Sequence, residues 1–243
     1  MLGARSALTM VTVALIGADG AGKTSLARAL EHAGELPIKY LYMGINSEAS
    51  NHVLPTTRAL RALKRALGRG GGEGGPPDPE RARRRTEKRG LARAASEAKS
   101  ALVLANQLAE EWYRVAVARR FERRGYLVLF DRHFFADYWA HDVARAGATA
   151  PPRSLARRVH GRLLERLPRP DCTILLDAPA EVLFARKGEG TLELVERRRR
   201  EYLELSRALG GCPIVDAARP QEAVRAEVLA ILRGLVARGE VRA

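Results

Sequence analysis

The sequence predicts an α/β fold with a five-stranded parallel sheet, and two observations carry that reading. Five short apolar stretches, at 11–16, 37–44, 126–130, 172–177 and 213–217, are separated by segments of helical periodicity long enough to act as crossovers. The first stretch runs directly into a glycine-rich turn and then a helix, reading "LIGADGAGKTSLARAL" from Leu15 to Leu30. A ligand in such a fold belongs beyond the carboxyl ends of the strands.

Each element has its own signal. Residues 11–16 are β-branched and apolar enough for a buried strand, and Leu26, Ala29 and Leu30 recur at helical spacing from Ser25, with Gly34 placed to end that helix. "PIKYLYMG" reads as a second strand ending in a turn, and "INSEASNHVLPTT" has no period and reads as a loop. Helical spacing returns from Arg58 to Leu67 through Ala59, Leu63 and Ala66. "GRGGGEGGPPDPE" then holds too much glycine and proline for a core element. Arg81 to Arg89 begins a charged helix that turns amphipathic through Leu91, Ala95, Ala98, Leu102, Ala105, Leu108 and Trp112 and ends near Gly125. "YLVLF", "CTILLD" and "PIVDA" complete the strands, and there is no internal repeat. The organisation expected is one domain over 1–243 with a mobile insertion at about 54–89.

Composition narrows the function classes. A chain of 243 residues with 46% hydrophobic content can bury a sizeable core. Cys172 and Cys212 have no metal or redox spacing, no apolar run approaches the ~18 residues of a membrane span, and a cytoplasmic protein is expected. The net charge of +14 attracts polyanions, but aromatics make up only 5% and do not alternate with the basic residues as a base-stacking platform requires. A few cations serving a phosphate site, with the rest solvated, is the reading preferred over a specific nucleic-acid surface.

The turn Gly17-Ala-Asp-Gly-Ala-Gly-Lys-Thr fits G-x-x-x-x-G-K-[ST] at every fixed position, in the strand-to-helix setting this phosphate-binding motif requires. Its expected ATP contacts are Gly17, Asp19, Gly20, Ala21, Gly22, Lys23, Thr24 and Ser25. Backbone N–H groups and the helix start form an anion nest, Lys23 reaches the β- and γ-phosphates, and the Thr24 hydroxyl ligates Mg²⁺. The third strand ends in Asp131-Arg132-His133. Asp131 is placed to hold a magnesium-bound water, and Arg132 to fork onto phosphoryl oxygens. His133, Asp137 and His141 share helical spacing that suits a polar acceptor pocket better than a metal site, with Tyr138 beside them.

These stretches, with "VLFDRHF", "PRPDCTILLDAPAEVLFARK" and "VERRRREYLEL", resemble the thymidylate kinase branch of the P-loop nucleoside monophosphate kinases. The likeness covers 11–36 and about 100–235. It implies a P-loop NTPase-type three-layer fold with a small lid at about 186–200, ATP and Mg²⁺, and a small-molecule phosphoryl acceptor. By the same resemblance Asp19 faces the acceptor's sugar hydroxyl, Arg132 contacts the transferring or acceptor phosphate, and Arg114 is the nearest match to an arginine that grips the nucleotide phosphate. Arg186 and Lys187 are the lid cations, Arg186 being the candidate to pack on adenine and, with Lys23, Asp131 and Arg132, to act in catalysis. Of Arg197 to Arg200, most are expected on a solvated face.

Where that family carries Arg-Glu-Pro-Gly-Gly-Thr after the second strand, this chain has "YMGINSEASNHV", which brings Asn46 forward as an acceptor contact. A nucleoside monophosphate is the leading acceptor. The alternatives are a kinase of a nucleoside, sugar or other small hydroxyl compound, and a nucleotide-dependent switch or nucleic-acid-binding ATPase. A homodimer is left open.

Overall fold

The computed structural model of the chain describes residues 11–44, 50, 52–66, 91–136, 166–188 and 190–238. Five strands form one sheet: β1 (Thr12–Ile16), β2 (Ile38–Tyr42), β3 (Leu127–Asp131), β4 (Cys172–Asp177) and β5 (Ile214–Asp216). Their spatial order is β2-β3-β1-β4-β5, and every pairing is parallel. Val13 pairs with Leu129 on one side and Cys172 on the other, so β1 is the centre of the sheet. The chain passes from β1 to the edge strand β2, returns to β3 beside β1, and then adds β4 and β5 on the other side. The carboxyl end of β1 therefore lies where the strand order reverses, the usual position of a ligand crevice.

The helices are α1 (Lys23–Ala33), α2 (Pro55–Ala66), α3 (Leu91–Glu122), α4 (Ala180–Lys187), α5 (Leu192–Ala208) and α6 (Gln221–Arg238). They cover both faces of the sheet, as a P-loop NTPase-type α/β fold requires. The core has the expected source: Val13, Ala14, Leu15, Val128, Leu129, Ile174 and Val215 are completely or almost completely buried, with Leu26, Ala27 and Leu30 of α1 and Val224, Val228 and Leu232 of α6 packed against them. Helix α5 opens on Thr191, whose hydroxyl accepts from the Leu194 N–H at 3.3 Å.

The two helices between β2 and β3 depart from the periodicity reading. Among the described side chains of α3 the expected stripe faces outward at Leu102, 72% exposed, and Trp112, 41% exposed, and the buried ones are Glu110, Glu111, Arg114, Val115 and Ala118. Three charged residues hold core positions there, so hydropathy selects the wrong face. Helix α2 starts three residues earlier than expected, and its Ala59, Leu63 and Ala66 are exposed. Polar contacts join it to α3: the Glu110 carboxylate accepts from the Leu54 N–H at 3.2 Å through both oxygens, and the Thr57 hydroxyl donates to Asn106 Oδ1 at 3.2 Å. The rest of the expected insertion, 67–90, lies outside the described residues.

Candidate active site

The turn between β1 and α1 is made by backbone that side chains would obstruct. At Gly17, with φ +141°, an added Cβ would sit 2.3 Å from the Leu176 carbonyl oxygen of β4, and at Gly20, with φ +89°, 2.4 Å from the Leu183 carbonyl oxygen of α4. Both positions need glycine for conformation and for space. Gly22 precedes α1 in the left-handed region, and no side chain caps the helix. Unpaired N–H groups at this end are what an anion needs.

Lys23 is only 5% exposed, and its Nζ donates to the carbonyl oxygens of Gly17 at 2.7 Å and Ala18 at 2.8 Å. The lysine therefore braces the loop as well as placing a cation inside it. Thr24 donates its hydroxyl proton to Asp131 Oδ2 at 2.5 Å, joining the first helix to the end of β3. Asp131 is completely buried, and the Tyr40 hydroxyl of β2 also donates to Oδ2, at 3.2 Å. Its other oxygen, Oδ1, has no hydrogen-bond partner among the described residues. A buried carboxylate oxygen left over beside a threonine hydroxyl fits a hydrated divalent cation, whose bound water would supply the missing donor.

Next to it, Arg132 has φ +65°, uncommon for a residue with a side chain, and its guanidinium pairs with Asp19 across the mouth of the loop. Partial burial pushes the Asp19 carboxyl up, but Arg132, Lys23 and the more distant Lys187 outweigh it and hold its pKa below the ordinary value. Two of the acceptor-facing residues expected from sequence, Asp19 and Arg132, thus meet, but as an ion pair.

On the other side of the loop a cavity of about 260 Å³ is lined by Gly20, Gly22, Ser25, Arg186, Ala217 and Gln221. Arg186 Nη1 donates to the Ala217 carbonyl at 2.7 Å, so its guanidinium forms a wall of this cavity. Arg219 also lines it and is held by Glu227. Position and shape suit the base of a nucleotide whose phosphates lie in the loop.

Two sequence expectations change, and a third gains detail. Arg114 is 2% exposed, donates from Nη1 to the Gly44 carbonyl at 2.7 Å and places its guanidinium 5.4 Å from the centre of the Phe134 ring. It therefore holds the backbone at the end of β2. His133 is 2% exposed among Phe130, Phe134 and Phe135, and burial pushes its pKa down to about 3. Its setting is aromatic and its ring neutral. Of the four consecutive arginines, Arg199 turns inward and forks onto both oxygens of Asp177 at 2.9 Å, whereas Arg197 and Arg200 are exposed as expected. Asn46, Asp137, Tyr138 and His141 lie outside the described residues.

The depressed His133 pKa predicts a pH effect. The unfolded chain takes up a proton as pH falls below about 6.5, while the folded chain does so only near 3. Stability is therefore expected to fall on acidification through that window, by at most about 1.4 kcal/mol per pH unit from this group. Denaturant titrations of His133→Phe beside the parent chain check this, the variant losing less stability between pH 6.5 and 4.5. Equal losses would rule out the buried neutral imidazole as the source.

Comparison with known proteins adds to the geometry. No family model matches the chain. A curated protein of Pyrobaculum aerophilum named probable thymidylate kinase is 28% identical over 235 residues, covering 93% of this chain and 98% of that relative. The chain is thymidylate kinase-like. A protein of Pyrobaculum calidifontis with the same name is 35% identical over 122 residues, 47% of this chain and 58% of the relative. The thymidylate kinase-like resemblance drawn from the phosphate loop and the Asp-Arg pair thus extends over most of the chain.

Some buried or interacting residues in the site and the helices around it were not singled out from sequence. Tyr40 reads as a strand residue, Asp177 as a strand end and Arg219 as one of many arginines. Glu110 and Glu111 are hidden by lying on a helix face that hydropathy assigns to solvent. Among the described residues no helix is long and apolar enough to cross a membrane.

Proposed function

We propose that this thymidylate kinase-like P-loop kinase transfers the γ-phosphoryl group of ATP to a small acceptor, a nucleoside monophosphate, within one kinase domain. The observation that carries the proposal is the joining of Thr24 to Asp131, with one oxygen of Asp131 left over, directly beside Arg132. Loop N–H groups and Lys23 bind the donor phosphates, the cavity at Arg186 and Ala217 takes the adenine, and Arg132 faces the transferring group. Magnesium held at Thr24 and, through water, at Asp131 would neutralise charge on the β- and γ-phosphate oxygens. Catalysis is then positioning and electrostatic stabilisation, with no covalent intermediate on the protein. A cytoplasmic setting suits this substrate pair.

The Arg132–Asp19 pair bears on the acceptor. An acceptor phosphate reaching Arg132 must replace or share the Asp19 carboxylate, and a sugar hydroxyl could then donate to Asp19. A second reading is phosphorylation of a neutral hydroxyl compound: Arg114, the arginine that the resemblance offers for an acceptor phosphate, is buried and donates to the Gly44 carbonyl.

Arg132→Ala separates the two. For a monophosphate acceptor both turnover and acceptor affinity should fall, each by about ten- to a hundredfold, the worth of a charge-assisted arginine contact. Steady-state kinetics beside a direct acceptor-binding measurement test this, since an apparent KM need not equal affinity. Reduced turnover with unchanged acceptor affinity would favour the hydroxyl acceptor. Retention of full activity would remove Arg132 from the site altogether.

A further inference from the structure

We propose that Tyr40 is a positioning residue for the magnesium site: its hydroxyl fixes the Asp131 carboxylate so that Oδ1 stays turned toward the metal's water. The inference rests on the kinase reading and deepens it. A carboxylate is nearly symmetric, and its terminal torsion is broad, so an aspartate held by one donor can exchange its oxygens or tilt. Asp131 is held at more points. Its main-chain carbonyl accepts from the Met43 N–H at 3.0 Å, and Oδ2 accepts from both Thr24 and Tyr40.

The two donors come from different directions. Thr24 opens α1, whereas Tyr40 lies on β2, paired in register with Leu129, two residues before the β2 residue opposite Asp131. A threonine hydroxyl that also ligates a cation still has its proton to give to Oδ2, but it moves with the loop it belongs to. The tyrosine belongs to the sheet. Its ring is 5% exposed, and the Arg28 guanidinium lies 5.5 Å from the ring centre. Burial and the neighbouring Asp131 charge raise the Tyr40 pKa, so the hydroxyl keeps its proton and remains a donor.

The contrast with the neighbouring strand end supports this assignment. Asp177 closes β4 as Asp131 closes β3, but both of its oxygens are taken by the Arg199 fork. Of these two strand-end carboxylates, Asp131 is the one with an oxygen left over.

Tyr40→Phe keeps the ring and removes the hydroxyl. Equilibrium binding of a fluorescent ATP analogue, measured at a series of Mg²⁺ concentrations and again in EDTA, reads the metal's contribution without turnover. The variant is expected to need about tenfold more Mg²⁺ for half-maximal enhancement of binding, the scale of one hydrogen bond to a charged group. Its affinity in EDTA should stay close to that of the parent chain, and the melting temperature of the ligand-free protein should fall only modestly, as loss of one buried hydrogen bond implies. An unchanged Mg²⁺ requirement would overturn the proposal, as would an equal loss of affinity in both arms, which would mark Tyr40 as packing alone. If the parent chain binds the analogue with no response to Mg²⁺, it is the kinase reading that fails, and Tyr40 loses its role with it.

Discussion

Replacing Lys23 with alanine is expected to lower phosphoryl transfer by at least about a hundred- to a thousandfold, the usual scale for removing one preorganised charge stabiliser from a transition state. The structure adds a second consequence. Because Nζ bridges the Gly17 and Ala18 carbonyls, its loss leaves two loop acceptors without their donor. A modest fall in melting temperature should accompany the lost activity, reversed in part by Mg²⁺–ATP if the loop still closes on phosphate. Initial-rate assays with thermal denaturation measure both. A variant with near-parental turnover would show that the loop is not where the donor phosphates bind.

The Asp131→Asn variant should produce a comparable loss of turnover with an opposite effect on the ligand-free protein. The carboxylate is fully buried, and only one of its oxygens is satisfied among the described residues, so in the absence of a cation it is costly to the fold. An amide keeps an acceptor for the Thr24 and Tyr40 hydroxyls and removes the buried charge. The apo variant is expected to be at least as stable as the parent, while stabilisation by Mg²⁺–ATP over ATP alone disappears. Denaturant unfolding with and without Mg²⁺ and ATP measures this. A marked loss of stability in the ligand-free variant, with the Mg²⁺ effect retained, would assign Asp131 a structural role.

The parts of the fold that were legible in the sequence are those with one dominant requirement. The strands are predominantly apolar because helices cover the sheet, and the phosphate turn is a fixed pattern whose spacing follows from backbone conformation at Gly17 and Gly20. The register of Thr24 against Asp131 follows from placing β1 beside β3. The faces of α2 and α3 were not legible, because buried Glu110 and Arg114 meet partners that lie elsewhere in the chain, the Leu54 N–H and the Gly44 carbonyl, and hydropathy counts such residues as solvated. The same blindness hid Tyr40, whose hydroxyl matters only once β2 is known to lie next to β3. Arg199 shows the reverse case: periodicity indicates that four consecutive arginines must diverge, but the one turned inward is decided by Asp177 at the end of β4.

The contacts of Gly17 with Leu176 and of Gly20 with Leu183 bear on how the protein comes to be made. The phosphate motif leaves the ribosome with the first strand and helix, yet the carbonyls that the loop is moulded against belong to β4 and α4, far later in the chain. Contacts of such long sequence separation form late, after most of the chain is available. A nascent chain that has emerged only through β3 therefore carries the complete motif without the wall that shapes it. On the kinase reading, nucleotide binding becomes a property of a chain that has already added β4 and α4, and a nucleotide would stabilise the protein only after that half of the sheet has docked.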